Sequence, residues 1–336
     1  MKPEKVTILG AGSWGMAVAR LLHLNGWSVT LWEFDRDEFE KLRRWRGHPD
    51  KLQGFVLPEG ITFSHDAAEA AEDCSLAVLA IPSQFLRSVL RTFRLHLDTK
   101  ALLVNLAKGI ETRTLMRMSE VITDELHVPV RRVVTLSGPS HAEEVILDIP
   151  TAVVAAGTYD EIATQVQETF SSRSFRVYKS DDLIGVELGG SLKNIIAIAT
   201  GISDGLGLGD NTRGAIITRG LAEITRLGVV MGARAETFAG LSGIGDLVTT
   251  CASHHSRNRY VGEKIGQGQS LKDILAGMSM VAEGVETTRS GHDLARLHNV
   301  EMPITKEVYA VLFEGKSPHA AVEELMVRQL KTEIWR

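Results

Sequence analysis

Lys193 stands in Ser191-Leu192-Lys193-Asn194, and no ionisable residue separates it from Asp204. A lysine in such apolar company either snorkels to water from a helix end or is held there for a purpose. Desolvation would lower its pKa towards the range useful for general acid–base work, whereas a nearby carboxylate would raise it. Asp246, in Gly245-Asp246-Leu247, is the candidate carboxylate. Lys108 closes an apolar run in Leu106-Ala107-Lys108-Gly109-Ile110-Glu111. The carboxyl ends of strands in open α/β sheets face the ligand crevice, so this lysine is placed to meet an anion. Ser137-Gly138-Pro139-Ser140-His141-Ala142 is a turn whose backbone N–H groups and Ser140 hydroxyl can serve the same crevice. Taken singly, these two segments read equally well as a surface lysine and an ordinary turn. In Ser256-Arg257-Asn258-Arg259, Arg257 can grip phosphate oxygens through two parallel N–H bonds, with Ser256 and Asn258 adding neutral ones. Read alone, such a quartet is a solvated polar loop. Cys251 with His254 and His255 resembles half a zinc site, but no second pair has suitable spacing, and no metal is expected.

A second group of residues lies at the other end of the chain. Val6–Leu9 runs straight into GAGSWG at 10–15 and then into a helical pattern. A lone GxGxxG is a weak signal; between a first strand and a first helix it becomes a dinucleotide fingerprint. Gly10 permits the tight turn, Gly12 admits a pyrophosphate to the backbone, and Gly15 lets helix and strand pack closely. The helix N-terminus then offers free N–H groups to the phosphates. Glu33, about 20 residues further on, is placed to accept hydrogen bonds from the adenine ribose and would repel a 2′-phosphate. Phe34 occupies the place where a basic residue would suit that phosphate. NAD is therefore favoured, while Arg36, Arg43 and Arg44 are close enough to turn back and keep NADP open.

The elements that must position these groups change character along the chain. Apolar, β-branched runs occur at Val6–Leu9, Val29–Trp32, Leu76–Ile81, Leu102–Leu106, Val133–Leu136 and Ala152–Ala155, with a further one at Phe175–Tyr178. Most are continuous rather than alternating, as in parallel strands covered on both faces. Helical patterns such as Ala17–Leu24 and Phe85–Leu97 lie between them, which predicts a doubly wound, Rossmann-type parallel sheet. After Asp181-Asp182 the pattern is helical throughout. Ile195–Ile202, Ala215–Leu227, Leu271–Met278, Thr287–Leu297 and Ala320–Leu330 read as amphipathic faces, the last with a start signal at Ser317-Pro318. The expected division is a dinucleotide-binding domain over 1–185 and an all-helical substrate and catalytic domain over 186–336.

Composition sets the outer limits. A chain this long exceeds the size at which single cores stop growing, so two domains are expected. With 37 basic and 42 acidic side chains the net charge is −5, which argues against a general nucleic-acid binder. No apolar run approaches the ~20 residues of a membrane span, and the early first strand leaves no room for a signal peptide. Cys74 and Cys251 cannot build a disulfide framework. A cytoplasmic protein is expected.

Seven blocks in fixed order carry a resemblance over essentially the whole chain. They are GAGSWG, NLAKGIE at 105–111, SGPSHAEEV at 137–145, ELGGSLKN at 187–194, SGIGDLVTTC at 242–251, SRNR at 256–259 and VAEGVET at 281–287. Together they resemble the bacterial-type NAD(P)-dependent glycerol-3-phosphate dehydrogenases. The resemblance implies interconversion of dihydroxyacetone phosphate and sn-glycerol 3-phosphate, the glycerophospholipid precursor, in a cleft between a dinucleotide domain and a helical domain. It implies Lys193 as the proton-transfer lysine with Asp246 beside it. Substrate contacts would be Lys108, Gly138, Ser140, Lys193, Asp246, Ser256, Arg257 and Asn258. Cofactor contacts would include Ser13, Trp14, Lys108, Ala142, Arg257, Val281 and Glu283, beside the glycines and Glu33-Phe34. It also implies a homodimer. Glu33-Phe34 departs from the small residue followed by His or Arg that many members carry, which weighs against NADP. Two rival readings are a β-hydroxyacid dehydrogenase acting on a carboxylate, which SRNR and NLAKGIE speak against, and a redox sensor that binds NAD without turnover, which Lys193 and Asp246 speak against.

Overall fold

A computed structural model describes residues 5–278, 280–330 and 332–333. The first part is a sheet of eight strands: β1 (Lys5–Leu9), β2 (Ser28–Trp32), β3 (Thr62–Ser64), β4 (Cys74–Leu79), β5 (Leu102–Asn105), β6 (Val133–Ser137), β7 (Thr151–Ala156) and β8 (Phe175–Ser180). Their spatial order is β3-β2-β1-β4-β5-β6-β7-β8. The helices between them are α1 (Ser13–Leu24), α2 (Arg36–Trp45), α3 (Ala67–Ala71), α4 (Ser83–Phe93), α5 (Met118–Leu126), α6 (Ala142–Val145) and α7 (Asp160–Phe170). Two buried clusters cover the two faces of the sheet. Val6, Ile8, Val29, Leu31, Val78 and Val104 pack under α1 on one side, and Leu9, Ala77, Leu79 and Leu103 pack against α4 and α5 on the other. Continuous apolar runs are what such two-sided burial requires.

The sheet is parallel from β3 to β6, but β7 pairs antiparallel with β6 and β8 follows β7. The sheet is thus the expected Rossmann-type parallel one in every pairing but β6–β7. The segment from β6 to β7 holds only the four-residue α6, too little to serve as a crossover, and an antiparallel return needs none. The three-residue β3 was not anticipated either; an exposed threonine, a half-buried phenylalanine and a buried serine give no hydrophobic run to find.

The remainder is helical: α8 (Leu183–Gly205), α9 (Asp210–Val230), α10 (Ala235–Phe238), α11 (Asp246–Ala252), α12 (Arg257–Gly266), α13 (Leu271–Ala276), α14 (Glu283–Leu297), α15 (Pro303–Phe313) and α16 (Pro318–Met326). The order of a Rossmann-type domain followed by a helical one is as the sequence implies. α8 is not an amphipathic helix, as predicted for its Ile195–Ile202 stretch; it is buried on all sides, as the axis of this second core. By length and composition it could cross a bilayer, yet 94% of that window is buried inside the protein. α12 lies almost on the backbone of α8. A Cβ at Gly201 would strike the Arg259 carbonyl, and one at Gly262 would strike the Ile198 carbonyl. That close approach sets the first turn of α12 beside Asn194. The predicted helix at 320–330 stops at Met326, where Met326 and Val327 are exposed.

Candidate active site

The carboxyl ends of β1, β4, β5 and β6 face α8, α11, α12 and the start of α14, and the residues singled out above gather in the cleft between them. Lys193 projects from α8 and is 5% exposed. Its Nζ lies 2.5 Å from Asp246 Oδ1 and 2.5 Å from Thr250 Oγ1. Thr250 donates its own proton to the Asp246 carbonyl at 2.7 Å, so its oxygen is free to accept from the lysine. An ammonium has three N–H donors, and these two contacts leave one for an oxygen in the cleft. The other carboxylate oxygen, Asp246 Oδ2, receives Lys108 Nζ at 2.8 Å, and Lys108 also donates to the Gly138 carbonyl at 2.9 Å.

Burial pushes the Lys193 pKa down, Asp246 pushes it back up, and Lys108 lowers it again; the result is about 8. Burial alone would raise the Asp246 carboxyl, but the charges of Lys108 and Lys193 outweigh it and hold the group below the usual carboxylate range. The cleft thus keeps a carboxylate ionised and a lysine ready to give up its proton near neutrality.

The frame around this triad is a chain of buried hydrogen bonds across the domain boundary. Asn105 accepts from the Ala107 N–H at 3.0 Å and donates to Thr135 Oγ1 at 3.2 Å. Thr135 in turn donates to Glu187 Oε1 at 3.2 Å. Glu187, on α8, also accepts from the Ser119 N–H at 2.8 Å and pairs with Arg117 at 2.6 Å. Ser191 ties α8 to the Gly109 carbonyl at 3.1 Å. The strand end carrying Lys108 and the helix carrying Lys193 are thereby fixed together. Asn194 donates to the Lys108 carbonyl at 3.2 Å and accepts from Asn258 Nδ2 at 2.9 Å, while Asn258 Oδ1 takes the Gly284 N–H at 2.9 Å. Ser256 is buried and caps α12 through the Arg259 N–H at 3.2 Å. Arg257 is exposed and donates to the Val281 carbonyl at 2.9 Å. Ser140 bonds the Gly138 carbonyl at 3.0 Å, beside the Lys108 contact.

At the nucleotide end Gly10 has φ 105°, a left-handed conformation that favours glycine. A Cβ at Gly15 would collide with the Gly10 carbonyl, whereas a Cβ at Gly12 would meet nothing within 4 Å. Glu33 reaches back from β2, its Oε2 accepting from the Ala11 N–H at 3.2 Å. Phe34 is exposed and sits edge-on to Trp32. Arg43 pairs with Glu40 at 3.0 Å, and Arg44 lies over Trp45, so neither turns towards Glu33. Ser13 Oγ is 3.6 Å from Met280 Sδ, Trp14 packs on Phe175, Ala142 starts α6, and Val281 is exposed. Glu283 accepts from the Ser83 N–H at 2.6 Å, satisfying the start of α4 from across the cleft. The open space above Gly12 with the Glu33 carboxylate beside it fits a pyrophosphate and an adenine ribose.

Residues 5–163 match the family model described as NAD-dependent glycerol-3-phosphate dehydrogenase N-terminus, and residues 182–323 match that of the C-terminus. The chain belongs to this family. It is 51% identical to a glycerol-3-phosphate dehydrogenase [NAD(P)+] of Thermoanaerobacter sp. (strain X514), over 98% of this chain and 99% of that one. Identity to the glycerol-3-phosphate dehydrogenase [NAD(P)+] of Geobacter sulfurreducens is 52%, over 99% of each chain. The crystal structure of glycerol-3-phosphate dehydrogenase (gpsA) from Coxiella burnetii superposes with a TM-score of 0.93 at 39% identity, covering 98% of this chain and all of that one. As a member of the glycerol-3-phosphate dehydrogenase family the chain is an NAD(P)-dependent oxidoreductase.

Sequence reasoning assigned no part to Thr250, Asn194, Glu187 or Ser83. Thr250 had a findable signal, since it lies four residues after Asp246 and so on the same helix face. Asn194 and Glu187 flank Lys193 in sequence, but only the crossing of α8 with the strand ends gives them partners. Cys251 is buried, and burial pushes its thiol up to about 12, whereas His254 and His255 are exposed. Among the described residues no three His, Cys, Asp or Glu side chains are grouped to hold a metal.

Proposed function

We propose that this chain reduces dihydroxyacetone phosphate to sn-glycerol 3-phosphate, and catalyses the reverse, with Lys193 as the proton donor and acceptor. The observation that carries the mechanism is the Lys193–Asp246–Lys108 triad, buried where the strand ends meet the helical domain. When bound, the reduced nicotinamide supplies the hydride. The chain's own residues do the rest. Negative charge develops on the substrate C2 oxygen, and the remaining N–H of Lys193 faces it, stabilises it and delivers the proton. Asp246 keeps that ammonium charged beforehand and is not itself protonated. Lys108 adds a second cation, from the loop after β5. Arg257, the Ser256 hydroxyl, Asn258 and the N-terminal end of α12 would take the substrate phosphate, with Gly138 and Ser140 on the opposite wall. Binding that unreactive phosphate aligns the carbonyl for reaction.

Gly10, Gly12, Ser13, Trp14, Gly15, Glu33, Lys108, Ala142, Arg257, Val281 and Glu283 would hold the dinucleotide. The Glu33 carboxylate at the glycine turn supports NAD as the preferred form. The division of labour falls at residue 185, near the start of α8. The same reading has a homodimer working in the cytoplasm to supply glycerol 3-phosphate for glycerophospholipids; sedimentation velocity of the purified chain tests the dimer. The decisive assay sets NADH oxidation with dihydroxyacetone phosphate beside a panel of β-keto and hydroxy acids. Turnover confined to the acids would overturn the assignment.

A further inference from the structure

His141 has no part in the scheme above. It lies on the loop after β6, immediately before α6, and its Nε2 is buried with no hydrogen-bond partner among the described residues. A buried polar atom without a partner is costly, and native sites that leave one bare normally have something that fills it. Its ring centre is 5.8 Å from that of His255, whose own ring is 4.1 Å from His254. His255 belongs to the segment between α11 and α12 and directly precedes Ser256. The imidazole therefore reaches across the cleft, from the loop of Gly138 and Ser140 to the segment of Ser256, Arg257 and Asn258.

The charges around it say what belongs there. Burial holds the His141 pKa below its ordinary value, and the ammonium groups of Lys193 and Lys108 lower it further, against weaker upward effects of Glu143 and Asp246. The ring is thus neutral near pH 7, with one N–H donor and one acceptor nitrogen. The two charges that act on it most strongly are cations. An anion relieves that repulsion, and a neutral ring can donate to it without adding a third positive charge.

We infer that His141 is a further substrate-binding residue, its imidazole donating a hydrogen bond to the phosphate monoester of the substrate from the side opposite Arg257. The inference rests on the proposed placement of the phosphate at the start of α12. No proton is transferred in the reaction step through His141; its contribution is to binding and alignment.

The test compares wild type, His141→Asn and His141→Gln with two substrates, dihydroxyacetone phosphate and unphosphorylated dihydroxyacetone, at saturating NADH. A hydrogen bond to a charged group predicts that the asparagine variant raises KM for the phosphate about tenfold, with kcat changed by less than about twofold. The longer glutamine, which can place an N–H nearer the same spot, recovers part of the loss. On dihydroxyacetone, which has no phosphate, kcat/KM of the variants stays at the wild-type level. An unchanged KM for the phosphate overturns the inference, and so does an equal loss on both substrates, which would mark a structural role. If Arg257→Ala raises KM for the phosphate and His141→Asn does not, the phosphate placement stands and only the assignment of His141 fails.

Discussion

Asp246 Oδ1 lies 2.5 Å from Lys193 Nζ, and both groups are sealed from solvent at the base of the cleft. The pairing explains how a lysine can be buried and still carry its charge. Burial alone would strip the proton, and the carboxylate opposes that loss. Removing Asp246 leaves Lys193 as an isolated buried charge, which proteins do not tolerate cheaply, whereas removing Lys193 leaves Asp246 paired with Lys108 alone.

Lys193→Ala removes the proton donor and leaves the nucleotide end untouched. General acid catalysis contributes roughly 10²–10⁴-fold, so kcat for dihydroxyacetone phosphate reduction falls by about 10³. Titration of NADH fluorescence gives a Kd within about twofold of wild type. Turnover near the wild-type level would refute the assigned role.

The pH profile follows from the same lysine, whose pKa sits at about 8. Reduction needs the ammonium form, so kcat in that direction is level below pH 8 and falls as the pH rises through it. Oxidation of sn-glycerol 3-phosphate needs the free amine and shows the opposite limb. In Asp246→Asn the charge that supports the ammonium is gone, the lysine pKa drops, and the reduction limb moves to lower pH. Profiles of both directions in wild type and variant check this; an unmoved limb would assign it to another group.

Arg257→Ala tests the phosphate end. Loss of a charged hydrogen-bonding partner is expected to raise KM for dihydroxyacetone phosphate by about 10–100-fold. Because Arg257 also holds the Val281 carbonyl, KM for NADH rises by a smaller factor. An unchanged KM for the phosphate would leave Lys108 as its principal holder.

Glu33 is the side chain expected to decide between the two nucleotides. Its carboxylate is fixed by the Ala11 N–H, and Arg43 and Arg44 are engaged along α2 rather than available to a 2′-phosphate. The wild type is expected to prefer NADH in kcat/KM, and Glu33→Ser to raise kcat/KM for NADPH while lowering that for NADH. A wild-type preference for NADPH would show that the carboxylate turns away when nucleotide binds.

What could be read in the sequence follows from how local each signal is. Strand β1, the Gly10 turn and the start of α1 are encoded within a dozen residues, and Glu33 follows at a fixed spacing. Lys193 was visible because its neighbours are uncharged, a property of the chain itself. The segment at 256–259 reads alone as a polar loop; it opens α12 because Ser256 caps the helix and Gly262 permits contact with α8. The reversal of β7 and the bridge Asn105–Thr135–Glu187 depend on which segments become neighbours across the fold. Nothing local encodes them. The seven ordered blocks brought the site residues together on paper, but not the frame that holds them.

That frame has a counterpart in the helical domain, at Glu223. This buried carboxylate on α9 accepts from the Ile304 N–H at 2.7 Å and the Thr305 N–H at 3.2 Å, at the N-terminus of α15. Burial raises its pKa to about 7, although the two backbone donors and the charge of Arg226 pull the other way. A folded-state pKa above the unfolded one means that the folded protein binds the proton more tightly. The stabilisation is therefore complete below the unfolded value, near 4.5, and is lost as the pH rises through about 7. Glu223→Gln keeps the shape and cannot ionise, so its melting temperature should fall less than that of wild type between pH 5 and 8. Parallel thermal melts across that range, corrected for buffer, make the comparison. Identical slopes would mean that another group carries the pH dependence and that Glu223 stays in one ionisation state throughout.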